Sequence, residues 1–172
     1  MMRQCAFSSR VTPKALGIKD PEKPRNYQIY METNKAGVII ADTSGLVSLF
    51  SPDDRNHAEA LNAAKRLLHE NRDILIPAAV FVEFLNVMGR KAGHAVALAA
   101  VTELTPPFLV LSEPSSLLES PALFKFEAVS EAVSFTDCLV MAVADEYGTK
   151  DIFGFDKQFE EAGYQRLKPS TA

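Results

Sequence analysis

Gly37-Val38-Ile39-Ile40-Ala41-Asp42-Thr43-Ser44-Gly45-Leu46-Val47 is the stretch whose reading decides the fold. Residues 38–41 are a short apolar run rich in β-branched side chains, which predicts a buried strand ending at Asp42. Residues 43–50 suit a short helix, stopped by the Ser51-Pro52-Asp53-Asp54 loop. The same alternation continues down the chain. Residues 54–70 form an amphipathic helix with Ala60, Leu61, Ala64, Leu67 and Leu68 on one side. A strand at 74–76 is closed by Pro77. A mostly apolar helix at 78–90 and another from Gly93 to about Glu103 follow, and Pro106-Pro107 introduces a strand at 108–111. Residues 115–133 read as helical with an irregularity near Pro121. A helix at 136–147 is capped by Gly148, a strand follows at 152–155, and a last short strand at 164–167. Strands alternating with helices predict an α/β, three-layer α/β/α sandwich with a mostly parallel central sheet.

The chain's 172 residues, 47% of them hydrophobic, allow one domain with a sizeable core. The longest apolar runs, such as 78–82, are too short to cross a bilayer, so no membrane partner is expected. Arg3 and Arg10 are not followed by an apolar signal-peptide core, and a cytoplasmic location is expected. Cys5 and Cys138 make no disulfide framework. Residues 1–36 contain Pro13, Pro21 and Pro24, scattered charges and no sustained period. They are read as a flexible N-terminal arm or a start-site extension, with Met31 a candidate true start, ahead of a domain at 37–172. Charge divides the same way: residues 1–35 hold seven basic and three acidic side chains, residues 36–172 eleven and nineteen. A body this acidic lacks the basic footprint of a nucleic-acid binder, unless metal ions, a dimer groove or local basic residues supply the attraction.

Two of four candidate acids stand where a parallel sheet builds its sites, beyond the carboxyl ends of strands. Asp42 follows the strand at 38–41 and Asp156 the strand at 152–155, while Asp137 begins a helix. Glu83 is a lone carboxylate in Ala78-Ala79-Val80-Phe81-Val82-Glu83-Phe84-Leu85, where an unpaired buried charge needs a cation, a partner or a proton. Each has a bland explanation. Asp42 and Asp156 each suit an N-cap, Asp137 closes a capping box with Ser134, and Glu83 has Arg90 on a nearby turn, at a spacing poor for contact.

The four segments together resemble the PIN-domain ribonuclease family. The stretch from Ile40 to Val47 looks like its opening strand and Asp-Thr-Ser, and Val80-Phe81-Val82-Glu83-Phe84-Leu85 resembles its second motif. Ser134-Phe135-Thr136-Asp137-Cys138-Leu139-Val140-Met141-Ala142 is similar to its third, and Ile152-Phe153-Gly154-Phe155-Asp156-Lys157-Gln158-Phe159 to its fourth. The motifs come in family order across about residues 37–168. The resemblance implies a PIN-like fold, Mg²⁺ or Mn²⁺ at the acidic cluster, and hydrolysis of RNA phosphodiester bonds. Many small stand-alone members are VapC-type toxins of toxin–antitoxin pairs, usually homodimers held by an antitoxin peptide, and this chain resembles that class most. Asp42, Asp137 and Asp156 are then metal ligands, direct or through water, and Glu83 a ligand or the group that orients the attacking water. Ser44 and Thr136 become supporting hydroxyls, for which helix capping is the competing explanation. Arg90 and Lys91 become RNA contacts, although cations at a helix C-terminus already have a reason to be there. One departure stands out: family members often carry Thr or Ser two residues before the fourth acid, and here that residue is Gly154.

Two alternatives belong to other classes. A catalytically degenerate PIN domain would keep the fold and act as a binding module. A haloacid-dehalogenase-type phosphatase would place a second Asp two residues after the first, where this chain has Ser44. His57, His69 and His94 have no metal-ligand spacing, which argues against a zinc enzyme, and no Gly-rich phosphate loop follows any strand.

Overall fold

The computed structural model describes residues 37–104, 108–110 and 116–166; the arm read at 1–36 lies outside them. The chain runs β1 (Ile39–Ala41), α1 (Thr43–Phe50), α2 (His57–His69), β2 (Ile74–Ile76), α3 (Ala78–Ala92), α4 (His94–Thr102) and β3 (Phe108–Val110). It continues through α5 (Ser116–Ala128), α6 (Phe135–Glu146), β4 (Asp151–Phe153), α7 (Lys157–Glu161) and β5 (Gln165–Arg166). The five strands form one sheet in the order β3-β2-β1-β4-β5, every pairing parallel.

This order follows from burial. All residues of β1 and β2 are inaccessible to solvent, which suits unbroken apolar strands covered on both faces by crossover helices. The chain winds outward from β1 through β2 to β3, then returns to the other side of β1 for β4 and β5. Right-handed crossovers in opposite directions put their helices on opposite faces, which makes the α/β sandwich. The reversal leaves a crevice beyond the carboxyl ends of β1 and β4, where open α/β sheets bind ligands.

Two contacts set that crevice. Asp42 N–H donates to the Phe153 carbonyl at 3.1 Å, so the ends of β1 and β4 are joined directly. A Cβ on Gly45 would lie 2.1 Å from the same carbonyl oxygen, so only glycine lets α1 start this close to β4. At the other end of the sheet Arg72 donates to the Gly37 carbonyl (3.1 Å) and pairs with Asp151 (2.6 Å), tying together the segments that enter β1, β2 and β4. Lys125 and Lys150 both pair with Asp145, at 2.6 and 2.8 Å, while Tyr164 donates to the Met141 carbonyl and fastens the approach to β5 onto α6.

Several boundaries differ from the sequence reading. The helix expected from 54 starts at His57, because Asp54 accepts hydrogen bonds from Ser48 Oγ and Asn56 N–H and forms a turn instead. The helix expected to reach 133 ends at Ala128, leaving Ser134 extended to cap α6. The strand expected at 152–155 is shifted to Asp151–Phe153, since Gly154 and Phe155 turn toward the site. His57, at the start of α2, is half-buried with Nδ1 2.9 Å from the Ser48 carbonyl.

Candidate active site

Asp42 is the innermost acid, 1% exposed. It caps α1: its Oδ2 accepts from the Ser44 N–H at 2.9 Å and from Ser44 Oγ at 2.5 Å. Ser44 Oγ in turn accepts from the Phe155 N–H at 3.0 Å, so one hydroxyl links the ends of β1 and β4. Asp137 is the third helical residue of α6 and completes a capping box. Its Oδ2 accepts from the N–H and the hydroxyl of Ser134, both at 2.8 Å. The bland explanations of these two acids therefore hold, and they do not compete with a site. In both, capping occupies Oδ2, and among the described residues Oδ1 has no hydrogen-bond partner. Asp156 precedes α7 but makes no side-chain cap, so the bland explanation fails there.

Asp42, Asp137 and Asp156 each offer one carboxylate oxygen, and these lie within 4.8 Å of one another although the residues are far apart in sequence. Burial pushes the Asp42 carboxyl up from its ordinary 3.8 to about 7, against the lowering effect of the Ser44 bonds, with the charges of Asp156 and Asp137 adding to the rise. Asp156 is also raised, first by burial and then by the Asp137 charge, with Glu83 contributing and with Ser44 and Arg166 pulling the other way. Three carboxylates gathered this closely, two of them raised by burial and by neighbouring charge, suit a hard divalent cation, which takes oxygen ligands.

Glu83 stands outside this group of three. It is half-buried on α3 and its Oε2 accepts from Thr43 Oγ1 at 3.0 Å; Thr43 follows Asp42 directly. Its partner is thus a hydroxyl rather than Arg90. Thr136 sits in the first turn of α6, and among the described residues its hydroxyl makes no hydrogen bond. Arg90 is exposed at the end of α3, and Lys91 beside it pairs with Asp54 at 3.2 Å.

Gly154 has a positive reason to be glycine. A Cβ there would lie 2.9 Å from Asp42 Cβ and 3.2 Å from Asp42 Oδ2, so a side chain would displace the buried acid. The hydroxyl bonded to Asp42 beside it is that of Ser44. Sequence reasoning missed two residues. Thr43 lay inside the first motif but was read only as the start of a helix. Arg166 carried no signal, being brought to the Phe155 carbonyl (3.2 Å) only by the pairing of β5 with β4.

The PIN domain family profile matches residues 39–164. Among solved structures, the crystal structure of the VapC20 toxin of Mycobacterium tuberculosis, which cleaves the sarcin–ricin loop, is similar to this chain. The TM-score is 0.63 with 27% sequence identity, over 76% of this chain and 99% of that one. No curated protein sequence matches.

Proposed function

On the premise that the chain belongs to the PIN domain family, we propose that it is a VapC-like ribonuclease toxin that hydrolyses RNA phosphodiester bonds with Mg²⁺ or Mn²⁺. The observation that carries this reading is the convergence of Asp42, Asp137 and Asp156 oxygens within 4.8 Å at the switch point of the sheet. These three would hold the metal. When bound there, the cation would lower the pKa of water and offset charge developing on the phosphate and leaving oxygen.

The chain's own groups have separable tasks. Ser44 fixes the Asp42 carboxylate through two hydrogen bonds, and the Ser134 box fixes Asp137. Glu83, braced by Thr43, orients the attacking water or joins the ligands. Thr136 lies beside Asp137 and suits a supporting hydroxyl. Arg90 and Lys91 suit RNA backbone, Lys91 by exchanging its partner Asp54 for phosphate. A degenerate, purely binding role is not favoured, because all four acids are kept and three of them converge. The test is RNA cleavage by the wild-type protein with Mg²⁺, with Mn²⁺ and with EDTA. Cleavage is expected with either metal and none in EDTA; equal cleavage in EDTA would refute a metal-dependent mechanism.

A cytoplasmic homodimer paired with an antitoxin completes the proposal. Among the described residues no helix is long and apolar enough to cross a membrane. Val82 and Leu98, on the paired helices α3 and α4, are 57% and 63% exposed, and Phe124 on α5 is 74% exposed. Large apolar side chains this open are ordinary singly, but together they mark association surfaces. Sedimentation at micromolar concentration should show a dimer, and Val82→Lys with Leu98→Lys should shift it to monomer. A wild-type protein that sediments only as monomer would count against the dimer.

A further inference from the structure

RNA cleavage at an acidic crevice needs a cation of the protein's own to hold the substrate strand, and most basic groups near the sheet are already committed. Arg72 pairs with Asp151 at the far end of the strands, and Lys125 and Lys150 share Asp145. Arg166 differs. It ends β5, and its side chain reaches the C-terminal edge of the sheet, where Nη1 donates to the Phe155 carbonyl at 3.2 Å, one residue before Asp156. Its Nε contacts Glu160 Oε1 at 3.3 Å on α7. These two contacts brace the guanidinium from one side and use two of its five N–H donors. Among the described residues Nη2 has no hydrogen bond, and 24% of the side chain reaches solvent. The single contact to the exposed Glu160 is of the weak, exchangeable kind.

We infer that Arg166 binds a phosphate of the RNA strand next to the scissile bond, an inference that rests on the ribonuclease reading. A phosphodiester presents two non-bridging oxygens, which match the fork of a guanidinium already held in place by a carbonyl. The position beside Asp156 would set the register of the strand on the carboxylates. Arg166 is a substrate-binding residue and takes no part in holding metal.

The test uses the full chain loaded with Mn²⁺ and a ribosomal RNA stem-loop oligonucleotide, in single-turnover cleavage between about 50 and 200 mM salt. Arg166→Gln should raise the half-saturating RNA concentration about tenfold, the usual worth of a charge-assisted hydrogen bond. It should also lower the slope of log affinity against log salt by about 0.7–0.9, the signature of one lost phosphate contact. Arg166→Lys should recover the slope, and only part of the affinity. Mn²⁺ binding to the RNA-free Arg166→Gln protein should be unchanged or tighter, since a cation beside Asp156 has gone. An unchanged slope and half-saturation in Arg166→Gln, while the wild type cuts RNA, would overturn the inference alone. Mn²⁺ affinity falling in parallel with RNA affinity would also overturn it, showing that Arg166 only props the segment leading to Asp156. A wild-type protein that binds Mn²⁺ but neither binds nor cuts the RNA would sink the ribonuclease reading and this inference with it.

Discussion

Asp137→Asn is expected to fold and melt like the wild type and to cut RNA at least about a hundredfold more slowly, a loss of roughly 3 kcal/mol of transition-state stabilisation. The separation arises because the two carboxylate oxygens have different tasks. Oδ2 accepts both hydrogen bonds from Ser134, and the carbonyl oxygen of asparagine can take them over, so the cap on α6 survives. The other oxygen becomes an amide nitrogen, which carries no charge and cannot ligate a hard cation. Loss of the Asp137 charge also removes one of the effects that raise the Asp156 carboxyl, so no new strain enters the apo fold. Ser134→Ala is the reciprocal control. It breaks the capping box, should cost about 1 kcal/mol of stability, and should slow cleavage far less than Asp137→Asn because the charge remains. Cleavage rates in Mn²⁺ with thermal melts of all three proteins decide the matter. Equal cleavage by wild type and Asp137→Asn would remove Asp137 from the chemistry.

The metal-free protein should lose stability as pH rises through the neutral range, the reverse of what most paired carboxylates produce. Asp42 is pushed up from 3.8 to about 7. A raised carboxyl means that the folded state keeps a proton which the unfolded chain has released. The contribution to stability is therefore largest below the unfolded value of 3.8. It falls as pH rises toward the folded value, and above about 7 the full cost of the buried charge is present. Three pH units correspond to about 4 kcal/mol, of which about 3 kcal/mol falls between pH 5 and 8. The raised Asp156 acts in the same direction. Asp54 and Asp145 are lowered by their partners, so their stabilisation is lost only below their ordinary range and leaves this window clear. In EDTA the melting temperature should drop by roughly 5–10 °C between pH 5 and 8. Asp42→Asn should flatten that dependence, matching the wild type near pH 5 and exceeding it at pH 8. Mn²⁺ should restore the wild type at pH 8 and do little for Asp42→Asn. Parallel melting profiles for the two proteins in EDTA would show that Asp42 is not the group responsible.

The fold was legible because its signals are local. The apolar run at 38–41, the helix that follows Asp42 and the strand before Asp156 each depend on neighbours in the chain, and the continuous burial of β1 and β2 is what such runs require. Boundaries were less legible, and the reason is competition for hydrogen bonds. Asp54 forms a turn because Ser48 and Asn56 reach it, and α5 stops at Ala128, with Ser134 left extended to cap α6. Nothing in the helical pattern of 54–70 or 115–133 carries that information.

The candidate site divides along the same line. The sequence by itself determined which acids are available, since Asp42, Asp137 and Asp156 stand at the ends of strands or the heads of helices that their own neighbours specify. It also determined that Asp42 and Asp137 cap helices, because capping is a contact over two or three residues. Tertiary structure alone decided that three of the four acids meet within 4.8 Å while Glu83 is set apart behind Thr43. It also decided that Gly154 makes room for Asp42 and that the Ser44 hydroxyl links Asp42 to the Phe155 N–H. It alone brought Arg166 from an edge strand to the carbonyl before Asp156. Those outcomes depend on the reversal of strand order between β1 and β4 and on the pairing of β5. They are contacts between segments distant in the chain, fixed by burial of the whole sheet rather than by any local preference.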